Sequence, residues 1–169
     1  MSNVSGMKQD PVIDGGQRCT PAMLPPHYLV AALVLIAGCH WLPGPTLWFG
    51  LPDGAWFAIA GSLASIGAAI AMRGSRQFAR AQTNIVPFTP ASTLVTNGVF
   101  RWTRNPMYLG MVLALGGATV ASNSMAALLV TIGFGWVIHS RFIIHEEAQM
   151  EATFPERYAA YRAKTRRWL

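Results

Sequence analysis

Three acids crowd one short stretch of the chain, at Glu146, Glu147 and Glu151. Glu147 and Glu151 share a helix face at i, i+4, while Glu146 points about 100° away from Glu147. Carboxylates so placed could bind a cation or take a proton. A solvated helix end is the plainer reading. Against it, adjacent acids repel, and acids in the C-terminal half of a helix gain nothing from the macrodipole. Arginines from elsewhere, or a cationic ligand, could offset that repulsion. Other chemistries find little support. His139, His145 and Glu146 do not make an H-E-x-x-H pattern, so no metal is expected. There is no Ser-His-Asp set and no phosphate loop. Gly61 and Gly67 sit within an apolar run, not after a strand, so a dinucleotide fingerprint is absent. The 2 cysteines, Cys19 and Cys39, give no disulfide framework.

The elements that must position these acids are apolar. Hydrophobic residues make up 52% of the 169-residue chain and charged residues only 12%. An average soluble domain has about 25% charged residues, so an ordinary soluble enzyme is disfavoured. Apolar runs at Tyr28–Leu42, Ala55–Met72, Met107–Ala121 and Met125–Ser140 read as four membrane spans. The first is short and is expected to borrow Leu47, Trp48 and Phe49. Ser122-Asn123-Ser124 reads as a tight turn between the last two. Residues 1–26 read as a mobile polar tail, and residues 27–169 as the membrane domain.

Basic residues test this layout. Lys8 and Arg18 precede span one. Arg73, Arg76, Arg80, Arg101 and Arg104 lie between spans two and three. Arg141, Arg157, Arg162, Lys164, Arg166 and Arg167 follow span four. None of the 13 falls in the other two connections. That asymmetry puts both termini in the cytoplasm, as in a bacterial inner membrane or its equivalent. It also assigns the net charge of +6 to a membrane surface and not to nucleic acid. The fold class is therefore all-α, a bundle of about four spans with cytoplasmic helical extensions. Small residues at helical spacing, Gly110, Ala114, Gly117 and Ala121 on span three and Gly61, Ser65 and Ala68 on span two, mark close helix packing.

Two segments on the cytoplasmic side carry more information. Arg73, Arg76 and Arg80 continue span two beyond its apolar run. Pro106 sits near the start of span three, where its missing N–H costs nothing. After span four a helix runs to Pro155. Thr153 and Glu156 then form a capping-box pattern for a last helix. Phe154, Tyr158, Tyr161 and Trp168 share a face there, either on anionic lipid or as a cap over a site.

The stretch Leu94-Val95-Thr96-Asn97-Gly98-Val99-Phe100-Arg101-Trp102-Thr103-Arg104-Asn105-Pro106-Met107-Tyr108-Leu109-Gly110 resembles the signature of integral-membrane methyltransferases. These include isoprenylcysteine carboxyl methyltransferases and phospholipid N-methyltransferases. The paired Glu146-Glu147 and the aromatic segment Phe154–Tyr161 match the same family in order and spacing. The resemblance implies S-adenosylmethionine as cofactor, lined by Ser92, Thr93, Leu94, Val95, Phe100, Asn105, Pro106, Met107, Tyr108 and Glu146. To these residues we add Arg104 as a partner for the cofactor's carboxylate, with Phe100, Trp102 and Tyr108 as contacts for its base.

Two departures bear on the acceptor. Asn105 stands where many relatives carry His, and Asn is no base near neutral pH. Phe142 stands at the substrate-binding arginine of the prenylcysteine enzymes, with Arg141 beside it. Arg141 and Glu147 are the candidate catalytic residues, Glu147 as proton acceptor for an amine. The expected partners are membrane lipids and a lipophilic acceptor entering sideways from the bilayer. The alternatives are a membrane reductase of the sterol-reductase type using NADPH, and a small membrane protein without enzymatic activity. For the topology, a single cysteine at Asn123 in a Cys-free background should react with an external impermeant thiol reagent. One at Gln82 should be protected, and the reverse pattern would invert the orientation.

Overall fold

The computed structural model describes residues 24–47, 52–81 and 93–169. Among these residues there is no named strand. The helices are α1 (Pro25–Cys39), α2 (Asp53–Arg80), α3 (Pro106–Ser122), α4 (Met125–Ile138), α5 (Ile144–Thr153) and α6 (Pro155–Lys164). A 3-10 turn, Gly98–Arg101, precedes α3, and a π-helical turn, His139–Ile143, joins α4 to α5 without a break. Two helical stretches, Gly54–Arg80 and Met125–Thr153, are long and apolar enough to cross a membrane. Helices α1 and α3 have 15 and 17 residues. At about 1.5 Å per residue they fall short of a hydrocarbon core about 30 Å thick.

The first helix is displaced from the expected run. It opens on Pro25-Pro26 and closes at Cys39. Proline at the first helical turn lacks a donor that the helix would leave unpaired anyway. Leu47 lies beyond the helix in an extended stretch. Its N–H donates to Asn123 O (3.3 Å), and Met125 N–H donates to Pro45 O (3.1 Å). Trp48, Phe49 and the first 23 residues lie outside the described residues. Asn123 makes the α3–α4 turn with φ at 51°, the left-handed conformation that asparagine tolerates.

Helix α3 is the axis of the bundle and packs on α1, α2 and α4. Its contact with α2 runs through small residues. A Cβ added at Gly67 would lie 2.5 Å from Gly110 O and 2.7 Å from Ala114 N. One added at Gly117 would lie 2.6 Å from Ala60 O and 2.8 Å from Ala64 N. The expected stripe on α3 is therefore the one that packs at Gly110, Ala114 and Gly117. On α2 it is not: the contact face is Ala60, Ala64, Gly67 and Ala71, and Gly61 meets open space. An alanine-rich helix offers small residues on two neighbouring faces, so their spacing alone does not choose between them. On its other side α3 meets α4 through a buried hydrogen bond between the Thr119 and Thr131 hydroxyls (2.7 Å).

The capping box does not form. Thr153 Oγ1 donates back to Gln149 O (2.8 Å), and α6 starts without a side-chain cap after Phe154. Pro155 at the first helical position already dispenses with one donor, which reduces what a cap would supply. The α2–α3 packing gives a direct test. Gly67→Ala or Gly117→Ala should destabilise the protein by about 1–3 kcal/mol through overpacking, read as a lower Tm in detergent. Gly61→Ala should leave Tm unchanged or raise it slightly. Equal effects at Gly61 and Gly67 would contradict this packing face.

Candidate functional site

The site is built where three parts of the chain meet: the turn before α3, the start of α5, and the segment after α6. The π-helical turn sets the register of α5. It continues the helix from α4, and Ser140 Oγ in the turn donates back to Trp136 O (2.8 Å) in the last turn of α4. Phe142 and Ile143 are both fully buried after the turn, and Glu146 and Glu147 reach two different partners.

Glu147 is gripped from two sides. Arg104 Nε and Nη2 each lie 3.1 Å from its Oε1. Arg167 donates from Nη2 to Oε2 (2.7 Å) and from Nε to both oxygens (3.1 Å). Burial alone would raise the Glu147 carboxyl. The Arg167 hydrogen bonds and the two guanidinium charges outweigh burial and hold it below the usual carboxylate range. Arg104 also donates from Nη1 to Thr165 O (2.7 Å) and Arg162 O (3.3 Å). The segment after α6 is tied to the pre-α3 turn by more backbone groups. Arg104 N–H donates to Arg166 O (3.0 Å), while Thr103 Oγ1 and Asn105 Nδ2 both donate to Arg167 O (3.1 Å).

Glu146 has different surroundings. Tyr108 OH donates to its Oε1 at 2.6 Å, and no cation among the described residues pairs with it. Burial pushes its carboxyl up to about 7, with the Tyr108 hydrogen bond opposing the rise. Leu94, Phe100, Tyr158 and Tyr161 form a second buried cluster with Phe78, Val95 and Phe154. Tyr161 OH donates to Phe100 O (2.6 Å), and Phe78 meets the Phe100 ring edge-on at 5.1 Å. Gly98, with φ at +57°, packs against the Gln77 side chain in a conformation that favours glycine.

The structure thus gathers most of the expected site residues and sorts them. Asn105, Pro106 and Tyr108 are buried at the head of α3, with Met107 beside them and half-buried. Leu94 and Phe100 are buried, Val95 is half-buried and Thr93 is exposed. Ser92 lies outside the described residues. Three expected roles do not fit. Arg104 engages all three guanidinium nitrogens with Glu147 and backbone carbonyls, so it is not a free partner for a ligand carboxylate. Glu147 is held ionised between two cations, which removes its drive to accept a proton. Arg141 stands exposed on the π-helical turn and makes no ion pair among the described residues. Phe142 is core, with its ring against Tyr28 (5.7 Å) and Tyr108 (6.5 Å). Trp102 is 78% exposed and does not join the aromatic cluster. Arg167 is the residue that sequence reasoning missed. It reads as one more cation in a basic run, and nothing in its spacing singles it out.

The family model described as phospholipid methyltransferase matches residues 55–157. The protein-S-isoprenylcysteine O-methyltransferase of Schizosaccharomyces pombe (strain 972 / ATCC 24843) is 35% identical over 72 residues. The match covers 42% of this chain and 30% of that relative, so the chain spans less than a third of the relative's length. No solved structure matches.

The ion-pair geometry makes a stability prediction. Glu147→Gln leaves Arg104 buried and uncompensated, which typically costs about 3–5 kcal/mol. Glu151→Gln breaks an exposed pair with Arg162 (3.1 Å) and should cost less than about 1 kcal/mol. Because the folded-state carboxyl of Glu147 is depressed, its contribution is present above the unfolded carboxyl range and is lost as pH falls through the folded value. Thermal unfolding of both variants at neutral pH checks the contrast, and equal shifts would refute it.

Proposed function

This chain belongs to the phospholipid methyltransferase family, and on that premise we propose that it transfers a methyl group from S-adenosylmethionine to a small amphiphile at the membrane surface. The observation that carries the reading is Glu146: a half-buried acid with one hydrogen bond, from Tyr108, and no paired cation among the described residues. A carboxyl pushed up to about 7 by burial is relieved by a cationic ligand. A zwitterionic sulfonium with an ammonium group and ribose hydroxyls suits it, and the residues present therefore fit the cofactor.

When bound, S-adenosylmethionine supplies an electrophilic methyl group with a neutral thioether as leaving group. The chain's own residues do the rest. Glu146 accepts hydrogen bonds from the ammonium or the hydroxyls. Tyr108 fixes the carboxyl by donating to its other oxygen. Leu94 and Phe100 supply apolar wall that excludes water. Such a displacement depends on alignment and desolvation more than on acid–base chemistry. With Glu146 engaged by the cofactor and Glu147 by two guanidinium groups, neither acid is a free base, and an amine acceptor would react as its unprotonated form.

The acceptor is an amphiphile with a nucleophilic head and an apolar body, entering from the bilayer. The outward faces of the helices support this. Val34, Leu35, Phe57, Leu129, Ile132 and Trp136 are all exposed, as lipid-facing side chains of a membrane protein are. The site end of the bundle, rich in arginine, faces the cytoplasm in this reading. Phe142 in the core makes a carboxylate head no more favoured than an amine or a thiol.

Charge-assisted hydrogen bonds contribute about 1.5–3 kcal/mol. Glu146→Gln should therefore weaken S-adenosylmethionine binding about tenfold or more by calorimetry, in a protein that still unfolds cooperatively. Unchanged affinity would remove Glu146 from the site. The pH dependence has two opposite signs. Cofactor affinity of the native protein should rise as pH rises through about 7, because the carboxylate is the binding form. Apo stability should fall over the same approach, from the unfolded value near 4.5 up to about 7, because the folded state favours the neutral acid. For the acceptor, a methyl-transfer panel in liposomes should include an aminolipid, a prenylcysteine and an alkyl thiol. Turnover confined to acceptors without an apolar body would contradict entry from the bilayer.

A further inference from the structure

A cleft of about 660 Å³ opens between α2 and the turn before α3. Its walls include Arg73, Arg76 and Arg80 on α2 and Trp102, Leu109 and Leu169 opposite. Among the described residues, Tyr108, Glu146, Glu147 and Arg104 do not line it, and neither does any acid. No carboxylate among the described residues pairs with any of the three arginines.

The stripe along α2 has a polarity. Ile66, Ile70, Arg73, Gln77 and Arg80 follow one another at spacings of four, three, four and three, which keeps them on one face of a helix. The deeper part is apolar, with Ile66 exposed. The cations begin just beyond Met72, where the charge-free run of α2 ends. Along the same line Gln77 Oε1 is buried and has no hydrogen-bond partner among the described residues. Such an acceptor is costly unless a donor meets it.

We propose that this cleft is a binding site for one anionic phospholipid, separate from the methyl-transfer centre. Its acyl chain lies along Ile66 and Ile70. Its phosphate is held by Arg73 and Arg80, with Arg76 at the rim. Gln77 lines the cleft between Arg73 and Arg80. Apolar contact and phosphate contact are continuous on one helix face, which a free phosphate would use only in part. A zwitterionic lipid adds a cation that three unpaired arginines repel. The exposed indole of Trp102 suits the boundary between acyl chain and headgroup.

The experiment compares bound lipid after purification into mild detergent, by native mass spectrometry with added phosphatidylglycerol or phosphatidylcholine. The unmodified protein should retain phosphatidylglycerol about tenfold or more over phosphatidylcholine, since each cation near the surface favours anionic lipid. The combined variant Arg73→Gln, Arg76→Gln and Arg80→Gln should lose that preference. A variant with Arg157→Gln, Lys164→Gln and Arg166→Gln, which removes equal charge elsewhere, should keep it. Inorganic phosphate or glycerol phosphate in millimolar excess should not displace the lipid. Equal loss in both variants would mean a diffuse surface effect and would overturn the site. Displacement by inorganic phosphate would also overturn it, since the headgroup alone would then suffice. If the triple variant fails to fold, Arg73→Gln and Arg80→Gln singly should each weaken retention severalfold, and unchanged retention in both would count against the proposal. Because the readout is lipid retention, it stands or falls independently of methyl transfer.

Discussion

The carboxylate of Glu147 between Arg104 and Arg167 is the constraint on which the rest of the site depends. Arg104 stands at the entry to α3, Glu147 on α5, and Arg167 beyond α6. One ion cluster, buried at Glu147 and Arg104 and open at Arg167, thus ties three segments far apart in the chain. A buried charge pair is weak evidence for stability in general, because desolvation offsets attraction. Here the remaining donors of Arg104 reach the carbonyls of Thr165 and Arg162, so the group is hydrogen-bonded as well as paired. Its consequence is positional. With Glu147 turned to the arginines, the neighbouring Glu146 must point elsewhere, into the space beside Tyr108.

Two features of the bundle make that arrangement reachable. The α2–α3 contact passes through glycine and alanine, so the backbones approach closely and the head of α3 is held with little freedom. The π-helical turn then resets the register of α5 against α4. An extra residue in a turn changes which side chains face inward, and such turns recur at functional sites. Two adjacent acids that a regular helix would spread about its surface therefore serve separate purposes. One closes the structure, and the other is left with a raised affinity for protons and, by the same physics, for a cationic ligand.

Much of this was legible in the sequence. The all-α membrane bundle followed from apolar runs and the placement of arginines, since both reflect the cost of polar groups in lipid. The α3–α4 turn at Asn123 and the start of α3 at Pro106 were legible because asparagine and proline act on their own backbone. The gathering of Asn105, Tyr108 and Glu146 was legible only through a family resemblance, not through spacing. What escaped was long-range or a matter of register. The packing face of α2 could not be chosen when small residues lie on two faces. The capping box at Thr153 failed because the hydroxyl found a nearer carbonyl in its own helix. The division of labour between Glu146 and Glu147 depends on Arg167, 20 residues away, and on a π-helical turn that no residue announces. Arg104 suggests a ligand contact in sequence because its partner, Glu147, lies 43 residues away.

Glu146 is a half-buried acid whose carboxyl, pushed up to about 7, gives up its proton when its cationic ligand arrives. Infrared difference spectroscopy of the carboxyl stretch reads this directly. At a pH of about 6, below the raised Glu146 value, adding S-adenosylmethionine should remove a protonated-carboxyl band and produce a carboxylate band. Both should be absent in Glu146→Gln. A protonated-carboxyl band that persists unchanged after the cofactor binds, or a band change that survives in Glu146→Gln, would contradict the account.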